Sequence, residues 1–159
     1  MIIKNKSKLK KIIAQAKKNG KSVLIKKGVF DIIHPGHVYA IQQFNKRADI
    51  IIILIQSDKF TRKKKGKSRP INDQKQRMLV MDGLKGVDYV APDNSMSRQD
   101  YIDFLNYLKP TILAVTSVDK QKTRDYASSH WKLIQFPDKK KKGFSTTEII
   151  NKCVGSKRN

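Results

Sequence analysis

Asp49-Ile50-Ile51-Ile52-Ile53-Leu54-Ile55-Gln56 is the stretch that decides the fold. Strand side chains alternate between two faces, and here every interior position is Ile or Leu, so both faces are apolar. A strand buried on both sides belongs in a parallel sheet covered by helices above and below. The run from Ile50 to Ile55 is also the longest apolar stretch, far short of the roughly 20 residues needed to cross a bilayer.

Moving outward, shorter strands are expected at Ser22–Ile25, Val87–Ala91, Thr111–Val115 and Lys132–Phe136. Helices fall between them. Leu9, Ile12, Ile13 and Ala16 share one face of a leading helix over about 6–19, which Asn19-Gly20 ends. Pro35-Gly36 opens a helix through Tyr39, Ile41 and Phe44. Asn72 or Asp73 caps the next, which carries Met78, Leu79, Met81 and Leu84. Ser97 and Asp100 form a capping box ahead of Ile102, Leu105 and Leu108, and Pro110 stops that helix. Ser145 opens the last one. Lys59–Arg69 reads as a basic loop. Strand–helix alternation of this kind predicts an α/β fold: a Rossmann-like, doubly wound parallel sheet of about five strands in an α/β/α sandwich. One domain over 1–154 is expected, with a frayed tail at 155–159.

Lys and Arg number 35 against 13 Asp and Glu, a net charge of +22. Such a chain attracts polyanions: nucleic acid, an anionic membrane or phosphate-rich small substrates. The single cysteine, Cys153, excludes a disulfide within the chain and fits a reducing, cytoplasmic compartment. The N-terminal residues lack the apolar core of a secretory signal.

In open α/β sheets, ligands bind at the carboxyl ends of the strands. Three segments fall there. Gly28-Val29-Phe30-Asp31-Ile32-Ile33-His34-Pro35-Gly36-His37 sets two histidines at a helix start, where ring donors and backbone N–H groups favour phosphate. No third ligand accompanies them, so zinc is not expected. Arg62 to Asn72, followed by Arg77, is dense in cations, and one of Lys63 to Lys65 is expected to meet phosphate. Gly143-Phe144-Ser145-Thr146-Thr147-Glu148 offers hydroxyls at another helix start. Asp31 either caps its turn or contacts the ligand. Lys139–Lys142 reads as an exposed basic loop, Trp131 as packing, and His130 and Cys153 as bystanders.

These segments together resemble the cytidylyltransferase-like branch of the HIGH-motif nucleotidyltransferases. GVFDIIHPGH matches G-x-F-D-x-x-H-x-G-H, and GFSTTEII matches G-x-S-T-T-x-I. The likeness is closest to D-glycero-β-D-manno-heptose 1-phosphate adenylyltransferases. It extends through Ser57-Asp58, KGKSRPIN at 65–72, Arg77 and VDYV at 87–90. Two departures stand out. Lys26-Lys27-Gly28 replaces a T-N-G turn, and Val115-Thr116-Ser117-Val118-Asp119 replaces a K-G-G-D-like segment.

The resemblance implies in-line attack by a phosphate oxygen of the acceptor on the α-phosphorus of an NTP, ATP favoured, with release of pyrophosphate. It implies His34, His37, Lys65 and Arg77 as catalytic residues. Gly28, Phe30, Asp31, Gly36, Lys64, Ser145, Thr146 and Thr147 would bind the nucleotide. Mg²⁺ would accompany the NTP, no metal would be held by the protein alone, and a homodimer is implied. Other acceptors in such families are glycerol 3-phosphate, with CTP, and FMN. The charge also admits a nucleic-acid-binding protein on a degenerate fold of this type.

Overall fold

The computed structural model describes residues 1–115, 126–128, 130–136 and 145–155. The run of isoleucines forms the second strand of a five-stranded sheet, β2 (Ile50–Gln56). Its neighbours are β1 (Val23–Gly28) and β3 (Tyr89–Asp93); β4 (Ile112–Val115) and β5 (Lys132–Gln135) complete the sheet. Strand order is β3-β2-β1-β4-β5 and every pairing is parallel.

Helices cover both faces. Ile52 and Leu54 join Val23, Ile25 and Leu113 in a core closed by α1 (Lys6–Lys18) and α5 (Arg98–Leu108). Ile51, Ile53 and Ile55 join Leu24, Val90 and Ala114 in a second core, closed by α2 (Pro35–Asn45) and α4 (Gln74–Asp82). Residues 51–55 are all 0% exposed, so each contributes the roughly 1.5–3 kcal/mol of full side-chain burial. A polar residue at any of them would open one core or the other. The doubly wound α/β/α sandwich expected from the sequence is the architecture found.

Caps fix the helix starts. Asn5 accepts from Ser7 and Lys8 ahead of α1. Asp73, not Asn72, caps α4 in a box with Gln76, and Ser97 with Asp100 heads α5. The expected loop at 59–69 is corrected: Asp58–Lys65 is helix α3. Ser57 caps it, Asp58 lies in its first turn, and Arg62 and the lysines 63–65 lie in its last turn, each sign at the favourable end of the dipole. Phe60 and Thr61 anchor it to the interior. Gly66, at φ 94, ends it. Strand β1 runs on past Ile25 to Gly28, because Lys26 and Lys27 pair with Ile53 and Leu54. Leu84 falls just beyond α4. The final helix, α6 (Thr146–Gly155), starts beside Ser145, whose Oγ accepts from the Glu148 N–H and donates to its carboxylate.

Strand β1 is central, and the chain leaves it to β2 on one side before β4 is added on the other. The switch in strand order therefore lies between β1 and β4. The carboxyl end of β1 is where the histidine-bearing turn begins. Positions 116–119, 139–144 and 156–159 of the sequence reading lie outside the described residues.

Candidate active site

The turn after β1 is shaped by one glycine and one strained residue. Phe30 has φ 50, a left-handed conformation that is uncommon for a bulky side chain. It turns the ring back over Gly28, where a Cβ would lie 2.6 Å from Phe30 Cε2. Only glycine leaves that space. The ring then packs on His37, with centroids 5.0 Å apart, and His37 stacks on His34 at 3.8 Å. His34 is the N-cap residue of α2 and its side chain makes no cap hydrogen bond; Pro35 follows. The Nδ1 atoms of both histidines are buried and have no partner among the described residues.

Burial pushes the His37 imidazole down to about 3, with the nearby His34, Lys26 and Lys65 adding to the effect. Burial also lowers His34, against the raising influence of Glu148. Both rings are therefore neutral at pH 7 and able to donate an N–H. An incoming polyanion would favour their protonated forms.

A cavity of about 770 Å³ opens over this turn. Gly28, Phe30, Asp31, His34, Gly36 and His37 line it from the β1–α2 side, and Lys65 and Arg69 from the α3–α4 side. Ser145, Thr146 and Thr147 line it from the start of α6. The Thr146 hydroxyl donates to the Ile32 carbonyl at 3.4 Å, tying the two motif-bearing segments together directly. Segments more than 100 residues apart in the chain thus share one cleft, at the sheet's switch point. Lys26, Lys27 and Arg47 add positive charge to the walls.

Two residues from the sequence reading lie elsewhere. Lys64 is exposed and sits over the Phe60 ring, 5.0 Å from its centroid, outside the cavity lining. Arg77 is 1% exposed and enclosed by protein. Its Nη1 donates to the Val29 carbonyl at 2.5 Å and its Nη2 to the Gln56 carbonyl at 2.8 Å and Asp58 Oδ1 at 2.6 Å; Nε donates to the Asn72 carbonyl at 2.9 Å. Arg77 therefore binds the β1–α2 turn, the end of β2, α3 and the α4 entry into one unit behind the cavity.

The sequence reading notes Lys27 only as part of the departure from the T-N-G turn and gives it no role. Its ammonium lies 3.2 Å from Asp93 Oδ2 and 3.5 Å from the Tyr101 ring centroid. Burial lowers it, and the Asp93 charge opposes that shift. Asp93 is 1% exposed and also takes the Ser95 hydroxyl at 2.5 Å. The signal available was a lysine pair at the carboxyl end of a strand otherwise buried. Trp131 is buried and donates to the Tyr126 carbonyl, while His130 and Cys153 are exposed.

For Mg²⁺, the cavity's donors are mostly cationic and neutral. Among the described residues its lining holds one carboxylate, Asp31, which is already taken by Arg69 and two backbone N–H groups. Among the described residues no three His, Cys, Asp or Glu side chains gather as a metal cage. The site fits a cation that arrives on the phosphates of its substrate.

Residues 25–152 match the cytidylyltransferase-like family. The chain is 34% identical over 155 residues to the bifunctional protein HldE of Actinobacillus pleuropneumoniae serotype 5b, covering 94% of this chain and 31% of that protein. It is 36% identical over 158 residues to HldE of Cronobacter sakazakii, again covering 94% and 31%. The chain thus spans about a third of the length of these relatives. Among solved structures, the pantoate-beta-alanine ligase of Francisella tularensis superposes with a TM-score of 0.66 at 16% identity, covering 98% of this chain and 78% of that one. A lipopolysaccharide core biosynthesis protein from Thermoplasma volcanium gives 0.60 at 24% identity, covering 74% and 97%. At those identities the structural likeness is one of fold. With most of its length inside the family match and both signatures meeting in one cleft, the chain belongs to the cytidylyltransferase-like family of nucleotidyltransferases.

Proposed function

We propose that this chain is an adenylyltransferase that transfers AMP from MgATP to a sugar 1-phosphate, heptose 1-phosphate first among them, and releases pyrophosphate. The observation that carries the reading is the single cavity shared by His34, His37, Lys65 and the hydroxyls of residues 145–147. The preference for ATP and a sugar phosphate rests on the whole-chain likeness to heptose 1-phosphate adenylyltransferases and to HldE.

In this reading a phosphate oxygen of the acceptor attacks the α-phosphorus from the side opposite the leaving group. The bond from α-phosphorus to the bridging oxygen breaks, and pyrophosphate departs with the electron pair. No protein nucleophile takes part. The work is positioning and stabilisation of charge on the equatorial and leaving oxygens. The neutral imidazoles of His34 and His37 donate hydrogen bonds as that charge grows. Lys65 supplies a full positive charge. Its own ammonium is disfavoured by partial desolvation and by Arg69 beside it, so an anion in the cleft relieves it. Thr146 and Thr147, at the positive end of α6, hold the departing phosphates. Mg²⁺ bound to the nucleotide's phosphates would shield their charge.

A pyrophosphate-release screen tests the reading directly. ATP, CTP, GTP and UTP are each paired with heptose 1-phosphate, other sugar phosphates, glycerol 3-phosphate and FMN. The expected result is release with ATP and heptose 1-phosphate above every other pair. Preference for CTP with glycerol 3-phosphate, or for FMN, would replace the proposed substrates. Absence of release with every pair would remove the enzymatic reading.

A further inference from the structure

We propose that Arg69 is an additional phosphate-binding residue of the cavity, presented to it by Asp31 acting as a positioning residue. The inference rests on the nucleotidyltransferase reading and adds to it a role for Arg69, which lies in the KGKSRPIN segment at 65–72 but is given no function there.

Arg69 is 8% exposed. Its Nε donates to Asp31 Oδ2 at 2.6 Å. The other carboxylate oxygen, Oδ1, accepts from the backbone N–H of Ile71 at 2.8 Å and of Asn72 at 3.1 Å. The Asn72 side chain closes the loop by donating to the Asp31 carbonyl at 3.1 Å. Asp31 is therefore held by donors from the same segment that carries Arg69, and both of its oxygens are occupied by protein.

The guanidinium is not so completely served. Its Nη2 is buried and has no partner among the described residues. A guanidinium offers five N–H donors and leaves none idle without cost when shielded from water. This idle donor belongs to a side chain that lines the cavity beside Lys65. Two cations share that wall, and Asp31, the one carboxylate among the described residues of the lining, is already engaged. An anion with oxygen acceptors would complete the arrangement. A phosphate group supplies it, either from the triphosphate of the nucleotide or from the phosphate of the acceptor. Arginine suits this task because its rigid fork can keep one edge on Asp31 and offer another to a phosphate.

The test uses the whole chain and the variants Arg69→Lys, Arg69→Gln and Asp31→Asn, with His37→Ala as control. Calorimetric titration measures MgATP and inorganic pyrophosphate, and steady-state release of pyrophosphate measures the KM for acceptor. Both Arg69 variants are expected to weaken one of these affinities by about tenfold to a hundredfold, the range for a hydrogen bond to a charged group. Asp31→Asn is expected to raise the same constant, with kcat falling less than KM rises. Weaker MgATP binding with an unchanged acceptor KM assigns the nucleotide; the converse assigns the acceptor phosphate; either supports the proposal. Side-chain ¹⁵N resonances of Arg69 in the wild-type protein, assigned through its own backbone, should shift with the same ligand. This readout stands if a variant fails to fold. Unchanged constants in both Arg69 variants, or unmoved resonances at saturating ligand, would overturn the proposal. If His37→Ala meanwhile lost nucleotide binding, the enzymatic reading would survive that failure. No binding of MgATP or pyrophosphate to the wild type would overturn both.

Discussion

Arg69 and Arg77 are eight positions apart, both are buried, and both are paired with a carboxylate, yet they end in opposite states. Arg77 gives every nitrogen to the protein: three backbone carbonyls and Asp58. Arg69 gives Nε to Asp31 and keeps a buried nitrogen idle. The first pattern is that of a residue holding a fold together. The second is that of a residue holding a place for something else. Buried polar groups are nearly always satisfied, so an idle donor on a side chain that lines a cavity calls for a partner there. The His34 and His37 rings, each with an unpartnered buried Nδ1, belong with Arg69 in this respect.

The contrast breaks most visibly at Arg77. Replacing it by Met removes a buried cation and leaves Asp58 and three carbonyls without their donor. A loss of about 3–5 kcal/mol is expected, the range for breaking a buried pair from one side. Urea unfolding reads it; a midpoint within error of wild type would contradict the structural role. His37→Ala should behave in the converse way. Turnover is expected to fall about 100-fold to 1000-fold, the cost of one transition-state donor, with the urea midpoint little changed. Normal turnover in that variant would remove the histidine pair from the site.

Gly28→Ala sharpens the comparison from the other direction, since it touches the site only through Phe30. The added Cβ would meet the ring at 2.6 Å, so the ring and the His37 packed on it must move. A loss of about 1–3 kcal/mol of stability is expected, the usual cost of overpacking, together with weaker nucleotide binding. Unaltered binding would show that Phe30 does not set the His37 position.

A further effect concerns pH. His37 is lowered from 6.5 to about 3 in the folded chain. Between those values the unfolded chain binds the proton and the folded chain does not, so stability falls as pH drops through that window. His37→Gln should flatten this part of the profile in thermal melts from pH 7 to pH 4. A profile identical to wild type would mean that His37 carries no such penalty.

Much of the architecture is legible in the sequence for reasons that can be named. β2 was readable because its alternate residues enter two separate cores, which forbids any polar interruption. The histidine turn and the α6 start were readable because phosphate chemistry demands particular residues at short spacing. Helix α3 was hidden: a lysine run looks like a loop until Ser57 caps it and Phe60 anchors it. The extension of β1 was hidden because Lys26 and Lys27 are poor strand signals, and their places depend on Ile53, Leu54, Asp93 and Tyr101. The roles of Arg69 and Arg77 depend on partners as far as 48 positions away, which no local pattern records.

The account stands on the histidine turn and the hydroxyl-rich start of α6 gripping one polyphosphate. Calorimetric titration of MgATP into the wild-type chain, His37→Ala and Thr147→Val tests this most directly. Both variants are predicted to weaken binding by about tenfold or more, each from its own side of the cleft. Tight, unaltered binding in either variant would contradict the shared grip.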